Sequence, residues 1–214
     1  MVETKADVTV VHGEDELFAL TGPLFSAATE VSCAANDANT WAASRHRASL
    51  RRPPGPHTAR KLYRPAALFD GVLREHIHEL RRRGADVRVT PDALNETIIL
   101  DGRVAILAGD RSSGVRSYGV VARPEVVRSV ATLFLATWRR ATDVELFDQR
   151  FAEARALAPH ILEMLSSGCK DEAAARALGI GLRTYRRRVA ELMAALGASS
   201  RFQAGVRARE LGLV

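Results

Sequence analysis

The chain holds only two cysteines, Cys33 and Cys169, in 214 residues. Two thiols cannot build the bridged framework of a small secreted domain, and by themselves they cannot furnish a zinc site. Both are expected to be reduced thiols in a cytoplasmic protein. Long apolar runs are missing as well. None approaches the ~18 residues of a membrane-spanning helix, and the opening Met1-Val-Glu-Thr-Lys has no apolar signal segment, so no membrane partner is expected. The six histidines (His12, His46, His57, His76, His78 and His160) show no ligand spacing. His76 and His78, two apart, would face different sides of a helix. No metal site and no cofactor are expected. What the chain does have is a 47% hydrophobic content, enough for a real core, and 31 Lys and Arg against 25 Asp and Glu, a net charge of +6. A basic balance suits a polyanion. Its distribution has to say which one.

Residues 1–140 alternate strand and helix signals, predicting a mixed α/β domain. Strands are expected at Ala6–His12, Glu30–Ala35, Lys61–Arg64, Asp86–Thr90 and Tyr118–Ala122. The Asp101-Gly102 pair between Glu96–Leu100 and Arg103–Leu107 predicts a hairpin with a type I′ turn. Helices are expected at Glu14–Ala28, Ala66–Arg83 and, from a proline at its start, Pro124–Arg140. Asn36–Arg52 reads as partly helical and Pro53-Pro-Gly-Pro56 as a loop. Beyond Ala141 strand signals stop. Residues 141–156 read as a linker that keeps a helical period, and 157–214 as a four-helix unit: Pro159–Ser167, Asp171–Leu178, Leu182–Leu196 and Ser200–Leu211.

A short alanine-rich helix, the turn Gly179-Ile-Gly181 and a longer helix have the spacing of a helix-turn-helix. On the longer helix Tyr185, Val189, Leu192 and Leu196 form an apolar stripe. The opposite face carries Arg183, Arg186, Arg187 and Ala190. Such a helix enters the major groove by its N-terminal half, where arginine can bond guanine edges or phosphates. Thr184 and the first backbone amides can hold a phosphate. Arg183, Arg186, Arg187 and Arg188 crowd into two turns with only Glu191 near in sequence, and like charges so spaced repel; an acidic partner would relieve them.

The stretch from Leu178 to Ala204 resembles the LuxR-type DNA-binding domain: Leu178-Gly-Ile180 before the turn, Arg183-Thr184, Leu196-Gly197, Ser200-Arg201 and Gln203-Ala204 keep that family's mutual spacing, as does the ending Ala208-Arg-Glu-Leu-Gly-Leu213. The resemblance implies double-stranded DNA as partner, contacts from Arg183, Thr184, Arg186, Arg187, Arg188, Ala190 and Arg201, and a homodimer through Ser200–Leu211. A contact with RNA polymerase is a further expectation. Tyr185, Arg188 and Ala195 depart from the family's valine, histidine and lysine, Gly181 from its turn serine and Glu172 from its early lysine. The family's Leu-Thr-x-Arg-Glu opening is absent.

The α/β half does not read as a phosphoacceptor domain, because its third strand ends in Pro65 rather than in an aspartate. Asn95–Leu107, with the strand and helix before it, resembles the core of the phospholipase D-like fold, whose chemistry needs His-x-Lys-x4-Asp. With Asp101 as the aspartate, the histidine position is Leu94 and the lysine position Glu96, so no catalytic residue and no enzyme is expected. Regulators of the TrmB type use a degenerate form of that fold to sense effectors, and the chain is similar to such a domain joined to a LuxR-type helix-turn-helix. The resemblance implies sensing of an unknown small-molecule effector, dimerisation, or both. Two other readings stand: a phospholipase D-like phosphodiesterase with a DNA-targeting tail, and a protein-interaction regulator that holds RNA polymerase without touching DNA. Arg45, Arg47, Arg51, Arg52, Arg60, Lys61 and Arg64 form a basic stretch, either a solvated loop or a site for an anionic effector or DNA phosphates. Trp41 and Trp138 read as core or interface residues.

Overall fold

The structure is a computed structural model that describes residues 7–35, 58–92, 95–109, 114–210 and 213–214. The expected helix at 36–52, the proline loop, Trp41, Leu94 and Arg45, Arg47, Arg51 and Arg52 lie outside these residues. In chain order the elements are β1 (Val8–His12), α1 (Gly13–Ala27), β2 (Glu30–Ala35), β3 (Thr58–Tyr63), a 3-10 turn (Pro65–Leu68), α2 (Gly71–Arg82), β4 (Asp86–Val89), β5 (Thr97–Leu100), β6 (Val104–Ala108), β7 (Ser117–Val121), α3 (Pro124–Arg140), β8 (Thr142–Asp143), α4 (Val144–Ser166), α5 (Asp171–Ala177), α6 (Leu182–Leu196) and α7 (Arg201–Glu210).

The strands make one mixed sheet in the order β1-β7-β6-β5-β2-β3-β4-β8. The β2–β3 and β3–β4 pairs are parallel and the rest antiparallel. Alternation along the strands sorts the side chains onto two faces. One face packs Cys33, Ile98, Ile106 and Tyr118 under Leu17 of α1, and Tyr63, Val87 and Val89 under Leu73, Ile77 and Leu80 of α2. The other packs Ala34, Leu62, Ile99, Ala105 and Val121 under Val127, Phe134 and Trp138 of α3. β5 is buried along its whole length, as a central strand covered on both sides must be. Trp138 stacks on Phe134 at 5.8 Å between ring centres and carries the Arg88 guanidinium 4.7 Å above its ring.

The β5–β6 hairpin turns through Asp101 (φ 49°) and Gly102 (φ 62°), the backbone of a type I′ turn. Three residues, not two, separate the paired Leu100 and Val104. Asp101 also ties the turn to the start of β2: its Oδ1 accepts from the Thr29 N–H (2.8 Å), the Thr29 hydroxyl (2.9 Å) and the Glu30 N–H (2.8 Å). These bonds, the Glu30 N–H foremost, hold its carboxyl below the usual aspartate range. The stabilisation is therefore present above the ordinary aspartate pKa and is lost as pH falls through the depressed one. Asp101→Ala is expected to cost about 1–2 kcal/mol in urea unfolding at neutral pH, and the gap from the parent chain should shrink in acid.

Three expectations change. The helix predicted over Ala66–Arg83 is split, because the Asp70 carboxylate accepts from the Val72 and Leu73 N–H groups at 2.8 and 3.0 Å and starts α2 afresh. Strand pairing does not stop at Ala141, since Thr142 and Asp143 pair with Val89 and Arg88. The stretch expected as a linker up to 156 is the first half of α4, which Asp143 caps and which runs unbroken through Pro159 to Ser166. Its start lies in the sheet core through Val144 and Phe147, and its end lies among the C-terminal helices through Ala158, Ile161 and Leu162. Among the described residues no helix is long and apolar enough to cross a membrane.

Candidate nucleic-acid interface

The helices from α4 onward share a core of their own: Ala158, Ile161, Leu162, Ala174, Ala175, Tyr185, Val189, Leu192, Leu196, Ala204 and Ala208. Alanines at the α5–α6 contact let the two helices approach closely. Between them Gly179 takes a left-handed φ of 66°, and the Ile180 N–H reaches back to the Ala175 carbonyl at 3.0 Å, the 6→1 bond that closes a helix end. Ile180 packs against the core at this corner. Gly181 stands at the N-cap of α6 without a side-chain oxygen. The first amides of α6 therefore lack the side-chain cap that serine would provide.

With the apolar stripe of α6 turned inward, Arg183, Arg186, Arg187, Ala190 and Ala194 are exposed along its outer face. Thr184 is half-buried beside them. Arg188, expected with this set, is only 8% exposed. It points across to α4, where it pairs with Glu153, and also to Glu191 at 2.8 Å. It packs two helices together and is removed from the candidate contacts.

Carboxylates that are remote in sequence reach the same surface. Asp171, at the first position of α5, receives Arg201 through two bonds (2.6 and 3.1 Å) and Arg186 through its Nε (3.0 Å). Arg201 foremost, then Arg186, lowers the Asp171 pKa to about 2, so this clamp stays ionised well into acid. Glu172 lies 3.6 Å from Arg186, and Glu191 lies 3.7 Å from Arg187. The repulsion expected among the α6 arginines is thus largely met from within the chain, so it does not by itself call for an external acid. Sequence spacing counted Glu191 alone; Asp171 and Glu172 become neighbours of Arg186 only once α5 and α6 cross. Arg183 makes no ion pair among the described residues.

On the last helix Ala204 and Ala208 face the core, while Phe202 (85% exposed) and Val206 (43%) face outward. In the α/β half, Glu96 is buried and paired with Arg116. Its acid therefore already has a cation at the place where phosphodiester chemistry of the expected type would need a lysine. Of the basic stretch, Arg60 pairs with Glu30, Lys61 is buried, and Arg64 is half-buried. Burial raises the Cys33 thiol pKa, which makes it a poor nucleophile. Cys169 is half-buried at the edge of the helical core.

No protein-family model matches the chain. It is 35% identical over 144 residues to a bialaphos biosynthetic pathway regulatory protein of Streptomyces hygroscopicus, an overlap that takes in 66% of this chain and 56% of the relative. The chain thus spans little more than half the length of that relative. Among solved structures it shares its fold with TrmBL2, an archaeal chromatin protein described as having a novel mode of DNA binding. The TM-score is 0.53 at 16% identity, over 67% of this chain and 57% of TrmBL2. Nuc, a phospholipase D family member from Salmonella typhimurium, overlays with a TM-score of 0.47 at 12% identity, over 64% of this chain and 96% of Nuc.

Proposed function

We propose that the chain is a DNA-binding transcriptional regulator of LuxR-type helix-turn-helix architecture, with α6 lying in the major groove and an α/β half, of degenerate phospholipase D-like type, that senses an effector or joins two copies. The observation that carries this reading is the outer face of α6: three exposed arginines on its first two turns, behind a glycine turn, on a helix whose other face is fixed in a core. The regulatory role of the S. hygroscopicus relative supports it. Arg186 and Arg187 are the base-reading pair, Arg183, Thr184 and the uncapped first amides of α6 hold phosphates, and Ala190 gives the groove floor room. Arg201 acts through Asp171, positioning Arg186. The proposed role involves no catalysis, and Glu96, paired with Arg116, supports that.

The test is genome-wide footprinting of the full chain followed by titration of a bound site at increasing salt. A protein neutralising about six phosphates should lose roughly 10^3-fold in affinity between 50 and 200 mM salt. If no DNA site is protected, or binding ignores salt, the reading fails in favour of one that contacts RNA polymerase alone.

The Phe202–Val206 face of α7 is proposed as the seam between two copies, since a two-fold axis pairs an apolar patch with itself. Phe202→Glu is expected to turn the dimer into a monomer in analytical ultracentrifugation. Burying a phenylalanine contributes about 1.5–3 kcal/mol; counted once per copy, its loss weakens self-association by roughly 100-fold or more. An unchanged dimer would move the seam elsewhere.

A further inference from the structure

Arg64 follows β3 at the start of the 3-10 turn, and its guanidinium reaches the carboxyl end of α6. There it lies against Gly197, which has a left-handed φ of 65°. A Cβ at this glycine would collide with Arg64 Nη2 and would stand 2.8 Å from Nη1 of Arg207 on α7. Two guanidinium groups from distant parts of the chain therefore converge on one bare backbone position. Arg207 donates to the Leu196 carbonyl at 2.9 Å, an ordinary capping bond at a helix end. Capping does not account for Arg64. Its Nε is enclosed without a hydrogen-bond partner, and among the described residues no carboxylate pairs with Arg64 or with Arg207. Burial, and then the charge of Arg207, disfavours its charged form.

Two cations facing each other, one with an enclosed Nε–H that has no partner, cost free energy unless an anion joins them. The partial negative charge at the end of α6 offsets part of this, but the Leu196 carbonyl there is already engaged by Arg207. A guanidinium presents its N–H groups in a planar fork that matches two oxygens of a carboxylate or phosphate. We propose that Arg64 and Arg207 form a receptor for a small oxyanion, phosphate or carboxylate in class, at the joint between β3 and the carboxyl end of α6. Gly197 is part of the receptor, because a Cβ there would displace the Arg64 guanidinium. The bound anion links the sheet to the helix that carries the exposed arginines. The site stands whether or not that helix binds DNA.

The test is thermal unfolding of the full chain with inorganic phosphate or succinate, at ionic strength held constant with chloride. The parent chain, Arg64→Gln, Arg207→Gln and, as a control at an exposed arginine of α3, Arg128→Gln are compared. A saturable rise in Tm is expected for the parent with at least one of the two anions, kept in Arg128→Gln and weakened at least tenfold in apparent affinity in both Arg64→Gln and Arg207→Gln. Without anion, Arg64→Gln should melt no lower than the parent, because it removes an uncompensated charge. The proposal is overturned if the parent shows no saturable response. It is equally overturned if both variants respond like the parent, if Arg128→Gln alone removes the response, or if Arg64→Gln melts lower than the parent without anion.

Discussion

Replacing Arg186 and Arg187 together by alanine is expected to abolish sequence-specific DNA binding and leave the fold standing. Both side chains are exposed, so their removal empties no core. Their carboxylate partners keep other company or water: Asp171 retains Arg201, Glu191 retains Arg188, and Glu172 is exposed. A lost bidentate base contact costs about 1–3 kcal/mol, so the pair accounts for roughly two to four decades of affinity. Phosphate contacts through Arg183 and the start of α6 would survive, and non-specific binding should fall far less than specific binding. Footprinting and fluorescence anisotropy with a bound promoter measure both. A double variant that protects the same site at unchanged affinity would remove α6 from the groove.

The other large effect is expected in stability. Leu192→Ala empties a side chain that is 0% exposed at the centre of the helical core, at a cost of about 2–5 kcal/mol, a large part of what holds a domain of this size. In a Trp41→Phe background the remaining tryptophan is Trp138 of α3, so tryptophan emission reports on the α/β half. The variant should lose part of its far-ultraviolet circular dichroism at a temperature where the emission of Trp138, buried against Phe134, is still native. Separate transitions would place a cooperative boundary near the middle of α4. A single coincident transition would mean that sheet and helices unfold as one body, against the division at residues 140–157 expected from the sequence.

Much of the architecture is legible because it follows from local chemistry. Leu182–Leu196 and Pro124–Arg140 match α6 and α3 to the residue, each bounded by a glycine or proline and carrying a clean apolar stripe. The Asp101-Gly102 pair announces its turn because few residues tolerate a positive φ. What is not legible depends on tertiary partners. Pro159 looks like a helix start, since proline is at home in a first turn, but packing on both ends of α4 carries the helix through it. Thr142 and Asp143 have no strand signal; they pair because α3 delivers them to the edge of β4. Arg188 carries the same charge as its neighbours, and nothing local says that it faces Glu153 rather than solvent. The Asp171 clamp joins residues 15 and 30 positions apart, a pairing that no periodicity within one helix contains.

The unbroken course of α4 has a mechanical consequence. At 1.5 Å per residue, its 23 residues make a rod about 34 Å long. One end is embedded under the sheet and the other is a wall of the core that seats α6. A rod so held works as a lever: a tilt of about 5° at the Val144 end sweeps the Ser166 end by on the order of 3 Å, comparable to the length of one hydrogen bond. Two arginine helices in a symmetric pair, each carried on such an arm, would change their spacing by twice that amount. A movement of α4 too small to disturb the packing of the sheet could then put the two helices into or out of step with successive major grooves.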